Sequence, residues 1–131
     1  MTQEDKHILL VDLCSRLPYG TICEDIYGNL GTLLDLAPKL NSVTLKISEL
    51  GSTWTTDIDK VKPYLRPMSS MDGAEVLEYI SLKESIVASD GTTYFFETDK
   101  SIDWLNENHF DYRGLIEKNL AKPLEKMKNE Q

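Results

Sequence analysis

The chain has 131 residues, 40% apolar and 27% charged, which is the size and make-up of one ordinary globular domain with enough surface to bury for a real core. Its formal net charge of −8 argues against sequence-independent nucleic-acid binding, which needs Lys and Arg to displace phosphate counterions, and against an anionic membrane surface. The excess of 22 acids over 14 bases is an ordinary solubilising one, no apolar run approaches the ~20 residues of a membrane span, and the acidic start Met-Thr-Gln-Glu-Asp-Lys is unlike a signal peptide.

In chain order, the first expected element is a helix from Gln3 to Arg16, capped by Thr2 and followed by Glu4 and Asp5 at its positive end. Leu10, Leu13, Cys14 and Leu17 recur at i, i+3, i+4 and i+7 as its apolar face, with Asp12, Ser15 and Arg16 away from that stripe. Pro18 ends the helix at Leu17. Short strands follow at 21–26 and 31–36, separated by the Tyr27-Gly28-Asn29 turn. Over Ser42 to Ser48, Val43, Leu45 and Ile47 alternate with polar partners, the signature of a half-buried strand. Trp54, Thr56 and Ile58 share one face of the next strand. Pro63 and Pro67 then permit a helical turn near 59–62 and a short edge strand around Tyr64. Four meandering strands, one helical turn and a fifth short strand are the layout of an SH3-like barrel.

Asp72 and Glu75 form a capping-box signature opening a helix to Leu82, with Val76, Leu77 and Ile80 as its buried side. Ser89-Asp90-Gly91 joins a hairpin of 85–88 and 92–97, whose second arm carries Tyr94, Phe95 and Phe96. Thr98 or Asp99 caps a helix to Asn106, with Ile102 and Leu105 inward. Asp111 caps a last helix through Leu120, and the Lys- and Glu-rich stretch 122–131 reads as a frayed tail. The expected architecture is α+β and one domain over 1–121: helix plus barrel in 1–70, then an α/β extension in 71–121.

No catalytic constellation stands out. Glycine-rich phosphate loops, nucleophile elbows, paired-histidine helices and CxxC are missing from the sequence. His7 and His109 stand alone, and His7 and Cys14 are about 10 Å apart along one helix. Asp57-x-Asp59 and Glu24-Asp25 each supply too few ligands for a hard cation. No metal ligand, catalytic residue or cofactor is therefore assigned. Cys14 and Cys23 make no disulfide framework, which fits a reducing compartment. The binding candidates are Trp54, Tyr64 and Arg66, which would neighbour one another in a small barrel, and Tyr112 with Arg113. Trp, Tyr and Arg are the types enriched where proteins grip partners. Between Met71 and Asp111, ten acids face only Lys83 and Lys100, flanked by two mildly basic segments.

Three segments carry a resemblance: Leu13 to Gly20, reading LCSRLPYG; Val61 to Met71, VKPYLRPMSSM; and His109 to Ile116, HFDYRGLI. They resemble, in the same order, a group of small proteins of no known activity from gut bacteria and their phages and prophages. The likeness runs to about Leu120, with 27–57 similar only in strand-and-turn rhythm. The chain departs from that pattern at Asn108, where histidine is common, and at Asn119, where glycine is common; the first weakens a histidine-based metal site near His109. The resemblance implies an accessory gene of a phage or mobile element working in a bacterial cytoplasm. The leading functional expectation is thus a non-enzymatic binding or adaptor protein with a host or phage protein as partner. A small-molecule or nucleotide-sequestering protein and a virion assembly component are the alternatives. The small-molecule reading requires Arg66 or Arg113 to face a concave pocket against an aromatic ring.

Overall fold

A computed structural model describes residues 1–47 and 51–124. Helix α1 spans Gln3–Arg16 and opens on a capping box in which Thr2 accepts from the Asp5 backbone N–H. It gives way to a 3-10 turn at Leu17–Tyr19, where Pro18 sits. The strands are β1 (Ile22–Asp25), β2 (Leu30–Ala37), β3 (Ser42–Lys46), β4 (Thr53–Asp57), β5 (Val61–Leu65), β6 (Glu84–Val87), β7 (Thr93–Phe96) and β8 (Lys122–Pro123); helices α2 (Gly73–Leu82) and α3 (Asp99–Glu107) flank the β6–β7 hairpin.

Strands β1 to β4 form the expected antiparallel meander, but the sheet does not close into a barrel. Its order is β4-β3-β2-β1-β5-β8, which leaves β4 and β8 as opposite edges. After β4 a 3-10 turn at Ile58–Lys60 carries the chain back to pair β5 with β1 rather than to close the sheet. The inner face is covered by α1 instead of by the sheet itself. Leu9 and Leu13 share one core with Cys23, Leu33, Val43, Leu45, Ile58, Val61 and Leu65. Close approach at the middle of the sheet requires glycine: a Cβ on Gly31 would lie 2.9 Å from the Leu45 Cβ. β5 is not an edge strand either. Its proline is tolerated because β1 pairs with residues 61–63 while the parallel partner β8 engages only Tyr64 and Leu65, past Pro63.

The face that α1 buries differs from the expected stripe. Leu13 is buried, Leu10 and Leu17 are half-buried, Cys14 is exposed, and Asp12 and Arg16 are wholly buried. The two charges lie i, i+4 and form a forked ion pair at 2.7 and 3.1 Å, with Arg16 also donating to the Phe110 carbonyl at 2.6 Å. Hydropathy ranks a charged pair as outward; only mutual neutralisation lets it turn inward.

A second core stacks Tyr79, Trp104 and Phe110, with ring centroids 5.6 and 5.5 Å apart. This stack chooses the inner face of α2. The capping box of Asp72 and Glu75 forms as expected, but Tyr79 points inward, and Val76, Leu77 and Ile80 are exposed at 38%, 73% and 40%. In α3, Thr98 is the cap and Ser101 completes its capping box, with Leu105 buried and Ile102 partly so.

The expected last helix does not form. Asp111 does cap, accepting from the Leu115 and Ile116 backbone N–H groups. However, Gly114 and Asn119 take left-handed φ of 75° and 61°, and the segment runs as turns. Those turns let Leu115, Leu120 and Ala121 drop into the first core. The expected tail begins as β8, and residues 125–131 lie outside the described residues. The 1–70 and 71–121 segments are laced together: Arg66 N–H donates to the His109 carbonyl at 2.7 Å, and Asp111 N–H donates to the Arg66 carbonyl at 2.8 Å.

Candidate functional site

Trp54, Tyr64 and Arg66 are not brought together. Trp54 stands opposite Leu45 on the inner face of the β4 edge, 39% exposed. Tyr64 is on the outer face of β5, since Cys23 and Pro63 pair inward while Glu24 and Lys62 pair outward. Four ladder steps separate the two strands, roughly 19 Å. The Tyr64 hydroxyl donates to Glu24, whose carboxyl is held below the usual range by that hydrogen bond and by Lys122.

Arg66 grips Glu75 with two hydrogen bonds of 2.8 Å, donates to the Ser70 carbonyl, and lies 4.2 Å over the Phe110 ring. Its guanidinium holds the Glu75 carboxyl below the ordinary carboxylate range, with the Asp72 backbone N–H adding to the effect. Both groups serve the joint between the α/β segment and the sheet. Tyr112 donates to Asn106 and carries the Arg16 and Arg113 guanidiniums at 5.3 and 4.7 Å from its ring centre. Of the five candidates, Arg113 and Tyr112 form one cluster.

The histidines and acids also have places. His109 has a left-handed φ of 65°. Its pKa is pushed down by burial and by the Arg16 and Arg66 charges, and its buried Nδ1 has no hydrogen-bond partner among the described residues. Asp25 is the organiser of the β1–β2 turn, accepting from the Tyr27 and Asn29 backbone N–H groups and from the Asn29 side chain. Among the described residues no group of three or more His, Cys, Asp or Glu side chains is arranged to hold a metal. No helix among them is long and apolar enough to cross a membrane.

A run of eight exposed large apolar side chains lies elsewhere, in 73–96. Every residue of β6 and β7 is exposed, and among the described residues the two strands pair only with each other. Cross-strand register puts Ile86 opposite Tyr94 and Phe96 opposite Glu84. Successive residues alternate faces, so Ile86, Tyr94 and Phe96 share one face and Val87 and Phe95 the other. All five are 48% to 66% exposed. The hairpin is rooted by the Tyr79 hydroxyl donating to Glu97 and by Thr98 Oγ1 donating to the Leu82 carbonyl at 2.6 Å. Lys83 alone separates α2, with its outward Val76, Leu77 and Ile80, from β6. An isolated two-stranded hairpin is marginal in water and its unpaired edges invite another chain.

The charge around it is one-signed. Residues 71–111 hold ten of the 22 acids and two of the 14 bases, so the remainder carries twelve of each. The whole net charge of −8 therefore belongs to the stretch 71–111, which contains α2 and the hairpin. The sequence signal for this surface is the hairpin itself: both arms are apolar on both faces, and no third strand follows before the next helix.

The second feature is a groove of about 790 Å³ along α1, walled by Pro38, Asn41 and Arg113. The Leu10 and Cys14 stripe lines it.

The fold and its surfaces thus define a mixed α+β protein with an open six-stranded sheet and an outlying hairpin. Protein-family models, curated proteins and solved structures contain no match to this chain.

Proposed function

We propose that this chain is a non-enzymatic binding protein that docks a protein partner on the β6–β7 hairpin and the outer face of α2. In the setting the resemblance implies, it is an accessory protein of a phage or mobile element acting on a host component in the bacterial cytoplasm. The observation that carries this reading is the exposure of eight large apolar side chains within 73–96. Soluble monomers rarely leave that much apolar surface on one short segment without a use for it.

Charge selects the kind of partner. The net charge of −8 over 71–111, the stretch that contains this surface, favours an apolar surface ringed by Lys and Arg. It opposes a second copy of this chain, because two such segments would repel across the contact. The free hairpin edges suit an added strand, with main-chain hydrogen bonds supplying affinity and Ile86, Tyr94 and Phe96 supplying the grip.

A photo-crosslinking amino acid at Phe96 or at Trp54 in host cells tests this. The expected result is a partner with a basic rim joined from Phe96 and not from Trp54, in a complex that weakens when salt is raised from low to high. Equal joining from both positions, or a homodimer formed through the hairpin, would overturn the proposal.

A further inference from the structure

The α1 groove has a composition at odds with the rest of the chain. Its ten lining residues include Lys6, His7 and Arg113 and no acid, in a protein of net charge −8. Its volume of about 790 Å³ lies in the range of small-molecule sites.

Arg113 is held ready. Its guanidinium lies over Tyr112 at 4.7 Å, and its side chain is 25% exposed. Nε is 3.4 Å from Asp12 Oδ1, near enough for attraction but not aligned as a hydrogen bond, so this buried N–H has no acceptor among the described residues. Asp12 is already engaged by Arg16 at 2.7 and 3.1 Å, which leaves the two arginines sharing one carboxylate. The shared pair therefore carries a surplus positive charge at the groove wall. Among the described residues, Lys6 and His7 form no ion pair. Leu10, Val11 and Pro38 supply apolar lining to the same groove.

From this we infer that the groove binds a small amphipathic anion. A phosphate or carboxylate head is taken by Arg113 and Lys6, and an aromatic or aliphatic body rests on Leu10, Val11 and Pro38. An arginine fork stacked on a ring is suited to a planar or tetrahedral oxyanion. The inference is independent of the hairpin surface, which shares none of these residues.

The test titrates the full chain with adenosine 5′-monophosphate, 3-phenylpropionate and inorganic phosphate, followed by calorimetry and by amide chemical shifts. We expect saturable binding of at least one of the two organic anions, with shifts centred on 3–15, 38–41 and 113. Inorganic phosphate should bind at least tenfold more weakly than that anion. Lys6→Gln, at a half-buried position, and Val11→Asp, at an exposed one, should each weaken binding about fivefold or more without altering the melting temperature. Arg113→Lys should weaken it further. Absence of saturable binding by both organic anions would overturn the inference. So would binding that the Lys6 and Val11 variants leave unchanged, or inorganic phosphate binding as tightly as the organic anions.

Discussion

Replacing Asp12 with alanine should be among the most damaging single changes in the protein. Asp12 and Arg16 are both fully buried, and Arg16 Nη1 already lacks a hydrogen-bond partner among the described residues. Asp12→Ala strips the guanidinium of its counter-charge and two hydrogen bonds while leaving it inside. Breaking a buried pair from one side costs about 3–5 kcal/mol. For 131 residues the unfolding entropy near the midpoint is about 0.28 kcal/mol/K, so the melting temperature should fall by about 11–18 °C. The loss is a large share of a total stability of about 7–20 kcal/mol. A second variant separates pairing from packing. Asp12→Leu with Arg16→Met removes both charges and fills the space, so most of the loss should be recovered. It should not be recovered completely, because Arg113 loses the Asp12 carboxylate 3.4 Å from its Nε and the Phe110 carbonyl loses the Arg16 donor at 2.6 Å, the latter worth about 1–2 kcal/mol. Thermal and denaturant unfolding at pH 7 read all three chains. A fall of less than about 4 °C for Asp12→Ala, or a double variant no more stable than the single, would refute the assignment of this pair as a buried, mutually dependent unit.

Three further outcomes follow from individual residues. The His109 pKa lies below its ordinary value, so the unfolded chain takes up its proton first on acidification; stability should decline as pH falls through about 6.5, and again below about 4.5, where protonation of Glu75 removes its ion pair with Arg66. His109→Asn, which tolerates the left-handed backbone, should remove the first step in a pH series of melting temperatures, and an unchanged slope between pH 7.5 and 5.5 would disprove that origin. A thiol reagent should modify Cys14, which is exposed, and spare Cys23, which is fully buried with its pKa pushed up to about 12 by burial and by the Asp12 charge; two equally fast thiols in the native protein would contradict this. Gly31→Ala should cost about 1–3 kcal/mol by forcing its Cβ against Leu45, while Gly73→Ala, with nothing within 4 Å at the first turn of α2, should be neutral or stabilise by up to about 1 kcal/mol; denaturant midpoints of the two variants check the ordering.

The local punctuation of this chain was legible from its residues. Thr2, Asp72 and Thr98 cap the three helices, and Ser89-Asp90-Gly91 turns the hairpin between β6 and β7. Each of these is decided within four residues by hydrogen bonds that the local sequence must satisfy. The candidate surface was half legible: the hairpin and its aromatic arm could be read, whereas its exposure could not. Which face of an element turns inward is settled by what lies across from it. Val76, Leu77 and Ile80 outrank Tyr79 in hydropathy, yet α2 turns Tyr79 inward because Trp104 and Phe110 complete a stack with it. Asp12 and Arg16 read as solvated charges until each supplies the other's counter-ion. The last expected helix yields to turns because Leu115, Leu120 and Ala121 reach the first core that way, and the sheet stays open because α1 already covers the face a barrel would close upon. Caps and turns belong to neighbours in sequence and are determined there; burial, closure and the groove along α1 belong to neighbours in space, and only the tertiary structure decided them.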